Sequence, residues 1–219
     1  QEPADALLFA VADGVGSSRH GKDASALTAE LLRQRFQAEG AELDLAAAVN
    51  DANRLLLEKN QATEGGFETT VAAALVTPGK VRLLHVGDSR IYLFANGERI
   101  IYQSEDHSVA QMSVRLGLLD PADIRSSPDR CKLIQALGIA ELRNLNVTEL
   151  DSFDQMLLCS DGFWECVTED EMLSALRQVS DAGDWLSQMR RIHSAHPASG
   201  NDNHTAVAVI KKENSHDLL

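Results

Sequence analysis

The chain has no excess of positive charge, no long apolar run, and few cysteines, prolines and aromatic residues. Over 219 residues, 20 Lys and Arg stand against 33 Asp and Glu, a formal net charge of −13. A protein that neutralises many phosphates carries a basic stripe. This balance argues against nucleic acid as a partner unless cations sit between the two. The longest apolar runs, Ala6 to Ala12 and Val71 to Val76, fall far short of the roughly 20 residues that span a bilayer, so no membrane span is expected. Cys131, Cys159 and Cys166 are an odd set without metal-type spacing. Cys159 lies in an apolar run and reads as a buried thiol, and a reducing cytoplasm fits such usage. What remains is an ordinary globular composition, 44% hydrophobic and 24% charged, which excludes disorder as the main state.

Along the chain, Ala6 to Ala12 reads as a buried strand that delivers Asp13-Gly14 to a turn. Apolar stripes at Ala24, Leu27, Leu31 and Leu32, then at Leu45, Ala48, Val49, Ala52, Leu55 and Leu56, predict two helices packed side by side. Between Glu68 and Gln103 the period becomes that of strands: Thr70 to Thr77, a Pro-Gly turn, Val81 to Val86, Ile91 to Phe94, the hairpin signal Asn96-Gly97, and Arg99 to Tyr102. This segment is expected to form an antiparallel meander. Ser108 to Arg130 reads as a helix followed by a mobile surface loop, and Leu145 to Leu150 is expected to pair with Gln155 to Cys159. Thr168 and Glu171 form a capping box before the helix of Met172, Leu176 and Val179. A helix with Trp185, Met189 and Ile192, the strand Thr205 to Ile210 and a polar tail over 212–219 complete the order. With no repeat, linker or composition break, one α+β domain over 1–219 is expected.

The informative feature is where the aspartates fall. Asp13 in FAVADGVG, Asp88 in LLHVGDSR, Asp161 in MLLCSDGFWE and Asp202 in SGNDNHTAVAVI each lie at the end of an apolar strand or beside one. A single Asp-Gly is usually a turn. Four carboxylates gathered at one end of a sheet repel one another unless protons or divalent cations compensate. Mg²⁺ and Mn²⁺ take such oxygen ligands, and a pair of them sharing one aspartate can activate water and screen a phosphate ester.

In this order FAVADGVG, ETTVAAALVTPGKVRLLHVGDSRIYLF, EDHSVAQ, LLCSDGFWE and NDNHTAVAVI resemble the successive motifs of the metal-dependent protein phosphatase 2C (PPM) family of Ser/Thr phosphatases, its compact bacterial branch in particular. The resemblance covers nearly the whole chain. It implies an α+β fold, a four-layer α-β-β-α sandwich of two antiparallel sheets flanked by helices, with two Mn or Mg ions at one end and a weaker third. It makes Asp13 the bridging carboxylate and gives one ion the carbonyl of Gly14. Asp161 and Asp202 complete the carboxylates of the first ion, so Asp13, Asp161 and Asp202 are the expected catalytic residues. Asn203 is expected beside that cluster and Thr70 near it. Asp88 would hold the third ion together with Asp161, while Glu165 stands where the family usually has aspartate. Gly117 to Arg130 corresponds to the family's flap.

The chain also departs from the pattern. The family's phosphate-gripping arginine and its Asn-Glu/Gln-Asp element precede the first Asp-Gly strand, and this sequence starts too late to contain them; its first strand is expected to be missing. Glu2 and Asp5 carry no recognisable motif. The loop after Gly14 reads VGSSRHG, so His20 is not aligned with the family histidine, and Val15 occupies the place of a histidine proposed as general acid in some eukaryotic members. His20 is expected in a solvated loop, His85 half-buried in its strand and His107 in a capping or hydrogen-bonding role. Arg19 is the arginine nearest the first aspartate and a candidate partial phosphate grip; Trp164 and Trp185 are read as core.

The expected function is hydrolysis of phosphoserine and phosphothreonine in a protein substrate by direct attack of metal-activated water, opposite a Ser/Thr kinase, by a cytoplasmic monomer. A regulatory pseudophosphatase that binds a phosphoprotein with little hydrolysis is the alternative. A two-metal nuclease is disfavoured because the sequence has no basic track for a polynucleotide.

Overall fold

In the central strands, successive residues face different apolar layers, and that alternation builds the fold. The computed structural model describes residues 6–142, 145–198 and 202–211. In β2 (Val71–Thr77), Val71, Ala73 and Leu75 pack with α1 (Gly21–Glu39) and α2 (Leu45–Ala62). Ala72 and Ala74 point the other way, against Ile91 and Leu93 of β4 (Arg90–Ala95) and Met156 and Leu158 of β7 (Gln155–Cys159). Tyr92, Phe94, Leu157 and Cys159 then face a third apolar cluster, with α4 (Asp161–Trp164), α5 (Glu169–Leu176) and α6 (Ala182–Ala195). Strands buried on both faces read as unbroken apolar runs rather than as alternation. The layers are therefore helices, sheet, sheet, helices, as the sequence resemblance implied.

One sheet has the order β1 (Leu7–Val11), β2, β3 (Lys80–Val86), β6 (Thr148–Leu150); the other has β5 (Arg99–Gln103), β4, β7, β8 (Ala206–Ile210). All neighbours are antiparallel. α3 (Val109–Arg115) and the 3₁₀ turn Pro121–Ser126 precede β6. Asn96 and Gly97 have φ of 54° and 64°, the left-handed pair a tight hairpin turn demands. The Thr168–Glu171 capping box is formed. Among the described residues no helix is long and apolar enough to cross a membrane.

Two pairings differ from expectation. The meander is broken after β3, where Gly87, Asp88 and Ser89 carry the chain from one sheet to the other instead of turning a hairpin. Likewise Thr148–Leu150 pairs with β3, while Gln155–Cys159 pairs with β4 and β8, so the two segments do not pair with each other. Phe153, in the connection between them, is buried between the sheets. Leu145 and Val147 pack on the α1–α2 side without forming strand. A strand with two buried faces carries apolar residues for both layers, so the same pattern serves edge-to-edge pairing and face-to-face stacking. Residues 1–5 and the tail 212–219 lie outside the described residues.

Register brings the strand ends together. Val11 lies opposite Ala72, Val86 opposite Val71, Cys159 opposite Arg90 and Ala206 opposite Cys159. The segments carrying Asp13, Asp88, Asp161 and Asp202 therefore emerge at one end of the sandwich.

Candidate metal centre

The turn at Asp13 is pinned by threonines. Its carbonyl accepts from the Thr70 N–H at 2.8 Å and from the Thr69 hydroxyl at 2.8 Å, while its own N–H donates to the Thr70 hydroxyl at 3.2 Å. A Cβ on Gly14 would lie 2.2 Å from the carbonyl carbon of Gly21, so only glycine lets the start of α1 close over this turn. Asp161 opens α4 and accepts from the Gly162 N–H at 2.7 Å; Asp202 accepts from the Asn203 N–H at 2.7 Å. Ser160 fixes their spacing, donating its N–H to the Thr205 carbonyl and accepting the Thr205 N–H on its hydroxyl, both at 3.0 Å. The indole N–H of Trp164 donates to the Asp88 carbonyl at 2.9 Å and ties the sheet-to-sheet crossing to α4.

Between these turns lies a cavity of about 230 Å³ lined by Asp13, Asp88, Asp161 and Asp202 together with Gly14 and Thr70. Among the described residues no lysine, arginine or histidine lines it. A larger hollow of about 740 Å³ adjoins Arg90 and Arg125, but there the arginines are met by Asp106 and Glu169. The smaller cavity is the one with uncompensated charge. Burial pushes Asp161 up to about 8, with the charges of Asp88, Asp13 and Asp202 adding to it. Burial also lifts Asp88 to about 7, assisted by Asp106 and Asp13. Asp13 is raised chiefly by burial, against a hydrogen bond with the Asp161 side chain that lowers it. Buried carboxylates of one sign must bind protons or cations, and an all-oxygen donor set suits hard divalent ions such as Mn²⁺ and Mg²⁺. The residues fit such ions.

Of the residues singled out in the sequence, Asp13, Gly14, Thr70, Asp88, Asp161 and Asp202 meet at the cavity. Asn203 neighbours it without lining it. Glu165 does not line it either; its two oxygens accept from Arg130 Nε at 2.5 Å and Nη2 at 3.0 Å. Arg19 pairs with the exposed Glu64 at 2.7 Å and does not line the cavity. His20 is only partly exposed and stacks on Phe67, ring centroids 4.4 Å apart, because the apolar ring offers the imidazole more contact than the solvated loop expected for it. His107 has the hydrogen-bonding role expected, accepting the Gly87 N–H at 3.2 Å, and stacks on His85 at 4.7 Å. Trp164 and Trp185 are fully buried.

Sequence reasoning missed Cys131, which lines the cavity, and a set of arginines behind it. Arg90 is buried, binds Asp106 through Nε at 2.8 Å and Nη2 at 2.7 Å, and lies 3.5 Å from the centroid of the Trp164 ring. Glu169 accepts from Arg125 at 2.6 Å and from the Tyr92 hydroxyl at 2.9 Å. Arg125 and Arg130 thus clasp the flap to the α4–α5 segment at two points. The signal in the sequence was limited to two arginines within Gly117 to Arg130, Arg125 and Arg130, in a stretch rich in Asp and Ser.

A family profile described as Protein phosphatase 2C matches residues 1–196. The serine/threonine phosphatase stp of Listeria monocytogenes serotype 4b is 31% identical over 217 residues, which cover 92% of this chain and 83% of that protein. Among solved structures, a bacterial serine phosphatase superposes with a TM-score of 0.82 at 26% identity, covering 94% of this chain and 87% of that one. The catalytic domain of the phosphatase PstP, in complex with 2 manganese ions, superposes with a TM-score of 0.74 at 25% identity, covering 95% and 91%. With the layer order and the carboxylate cluster, these matches leave one assignment: the chain belongs to the protein phosphatase 2C family of serine/threonine phosphatases.

Proposed function

We infer that this protein removes phosphate from phosphoserine and phosphothreonine of protein substrates, using divalent cations held by Asp13, the Gly14 carbonyl, Asp161 and Asp202. Asp88 and Glu165 are assigned, with Asp161, to a weaker third ion. The observation that carries this reading is the cavity whose walls present Asp13, Asp88, Asp161 and Asp202, with no basic side chain lining it among the described residues. When bound, a pair of Mn²⁺ or Mg²⁺ ions supplies Lewis acidity to a water and to the phosphoryl oxygens.

The chain's own residues supply the framework. Asp13 reaches the cavity from the first sheet, and Asp161 and Asp202 from the second. Thr70 fixes the peptide on both sides of the Asp13 carboxylate, and Asn203 and Gly162 fix Asp202 and Asp161 through their N–H groups. No side chain has to act as nucleophile. Cys131 is the thiol that lines the cavity, and burial pushes it up, which leaves little thiolate for attack.

The phosphoester substrate requires a protein Ser/Thr kinase to form it. One chain carries all the carboxylates of the centre, which supports action as a monomer, and Cys131, Cys159 and Cys166 are free thiols, which supports a reducing, cytoplasmic setting. No observation favours the regulatory, non-hydrolysing alternative. Hydrolysis of p-nitrophenyl phosphate and of a phosphothreonine peptide should require added Mn²⁺ or Mg²⁺ and stop in EDTA and in Asp161→Asn. Full activity in EDTA would overturn the assignment.

A further inference from the structure

We propose that His193, on α6, is a positioning residue for the candidate metal centre: it fixes the Asp161 turn against the Asp202 loop and so sets how tightly the two carboxylates take a cation. The proposal rests on the preceding reading in that those carboxylates hold the ions. His193 is 2% exposed and does not line the cavity. On α6 it continues the buried stripe of Trp185 and Met189, a place that packing alone would give to an apolar residue. A buried imidazole needs a hydrogen-bond partner. This one donates from Nε2 to the Gly162 carbonyl at 3.0 Å, an oxygen that can only accept.

That carbonyl needs a donor from elsewhere. α4 is a single turn, and the N–H groups that follow pass Gly162 by: Glu165 donates to the Asp161 carbonyl at 2.9 Å, while Cys166 and Val167 both donate to the Phe163 carbonyl at 3.2 Å. Orphan carbonyls of a helix end are satisfied from outside the helix, and among the described residues His193 is the donor that reaches this one. Gly162 directly follows Asp161, and its own N–H already holds the Asp161 carboxylate. His193 therefore grips the residue that orients Asp161.

The same ring touches the second turn. It stacks on Phe163, with centroids 5.9 Å apart and planes 18° from parallel, and meets His204 at 4.0 Å and 37°. His204 follows Asp202 by two residues. The two turns press together here: a Cβ on Gly162 would lie 2.3 Å from the Asn203 carbonyl oxygen and 3.2 Å from the Asp202 Cβ. A cation held by both carboxylates fixes their separation. A support that holds that separation in advance removes part of the ordering cost of binding.

The test compares, in the full chain, His193→Phe, which keeps a ring without the donor, and His193→Gln, whose amide nitrogen can take the place of Nε2. Calorimetry should show Mn²⁺ affinity about tenfold weaker in His193→Phe and within about threefold of the unmodified chain in His193→Gln, the scale on which residues behind metal ligands act. Met189→Ala, which opens a cavity one turn away and loses stability in urea, should leave the affinity unchanged. In EDTA, amide exchange at Glu165 and Thr205, one on each turn, should quicken about tenfold in His193→Phe relative to the amides of β7, the measure of one lost hydrogen bond. Unchanged Mn²⁺ affinity in His193→Phe, no recovery in His193→Gln, an equal loss in Met189→Ala, or unchanged exchange at both amides would each overturn the role. Absence of Mn²⁺-dependent hydrolysis by the unmodified chain sinks the phosphatase reading instead, and the exchange result, which needs no metal, still decides on His193.

Discussion

Asp161→Asn should stabilise the metal-free protein, by an amount that grows with pH. A carboxyl pushed up to about 8 in the folded chain is ionised in the unfolded chain above about pH 4. Between those limits the folded state holds a proton that unfolding releases, so stability falls as pH rises, by about 1.4 kcal/mol per pH unit for one proton. His107, lowered to about 4 by burial, acts in the opposite sense, gaining stability as pH climbs towards 6.5, and so does His85, also lowered by burial. Both histidines are present in the variant, so the difference between the two proteins isolates the carboxyl. That difference should grow by up to about 3 kcal/mol between pH 5 and pH 7, with Asp13 and Asp88 sharing the cluster's protons and reducing it. Urea denaturation in EDTA at pH 5, 6 and 7 measures it. A constant difference across that range would refute the electrostatic account of the cavity. Mn²⁺ at a thousand times Kd should reverse the order, because the unmodified chain then gains about 4.1 kcal/mol, more than that difference, while the variant has lost a ligand.

Three further outcomes follow from contacts around the centre. Asp106→Ala removes both hydrogen bonds to the nearer carboxylate of Arg90, whose side chain is 5% exposed, leaving it the Tyr92 hydroxyl at 3.1 Å and Glu169 at 3.5 Å, and should cost about 3 kcal/mol in a urea titration. In Gly162→Ala the new methyl would lie 2.3 Å from the Asn203 carbonyl oxygen; the loop carrying Asp202 must give way, and calorimetry should show Mn²⁺ affinity lower by about tenfold or more. Thr168→Ala removes the hydroxyl that accepts the Glu171 N–H at 3.3 Å and should lower stability by about 1 kcal/mol in thermal melts while leaving metal affinity unchanged.

The aspartates were legible because each follows or precedes an apolar strand, and antiparallel register with strands of similar length returns such positions to one end. The layer order was legible only through the resemblance, since Val71 to Val76 reads equally well as a strand with one partner sheet or two. What hid the crossing is that Gly87-Asp88-Ser89 has the length and residue types of a hairpin turn. It leads instead into Arg90, whose side chain needs Asp106 and Trp164 on the far face of the second sheet. Glu165 was placed by homology with an aspartate; its extra methylene lets it reach Arg130, a pairing that depends on where the flap lies and has no signature in local sequence. Cys131 escaped notice for the same reason, as nothing in CKLIQ marks a residue that lines a cavity.

The passage of the chain from one sheet to the other at Asp88 has a bearing on assembly. Asp13 hangs from the first sheet, Asp161 and Asp202 from the second, and Asp88 from the strand link that joins them. Cations held by Asp13, Asp161 and Asp202 as proposed would read the docking of the two sheets on each other across Ala72, Ala74, Ile91 and Leu158. Neither sheet alone offers more than part of the ligand set. Metal capture is thus a late event in folding, a proof that the interior has closed, and each bound ion rivets the seam of the sandwich at the end where substrate must arrive.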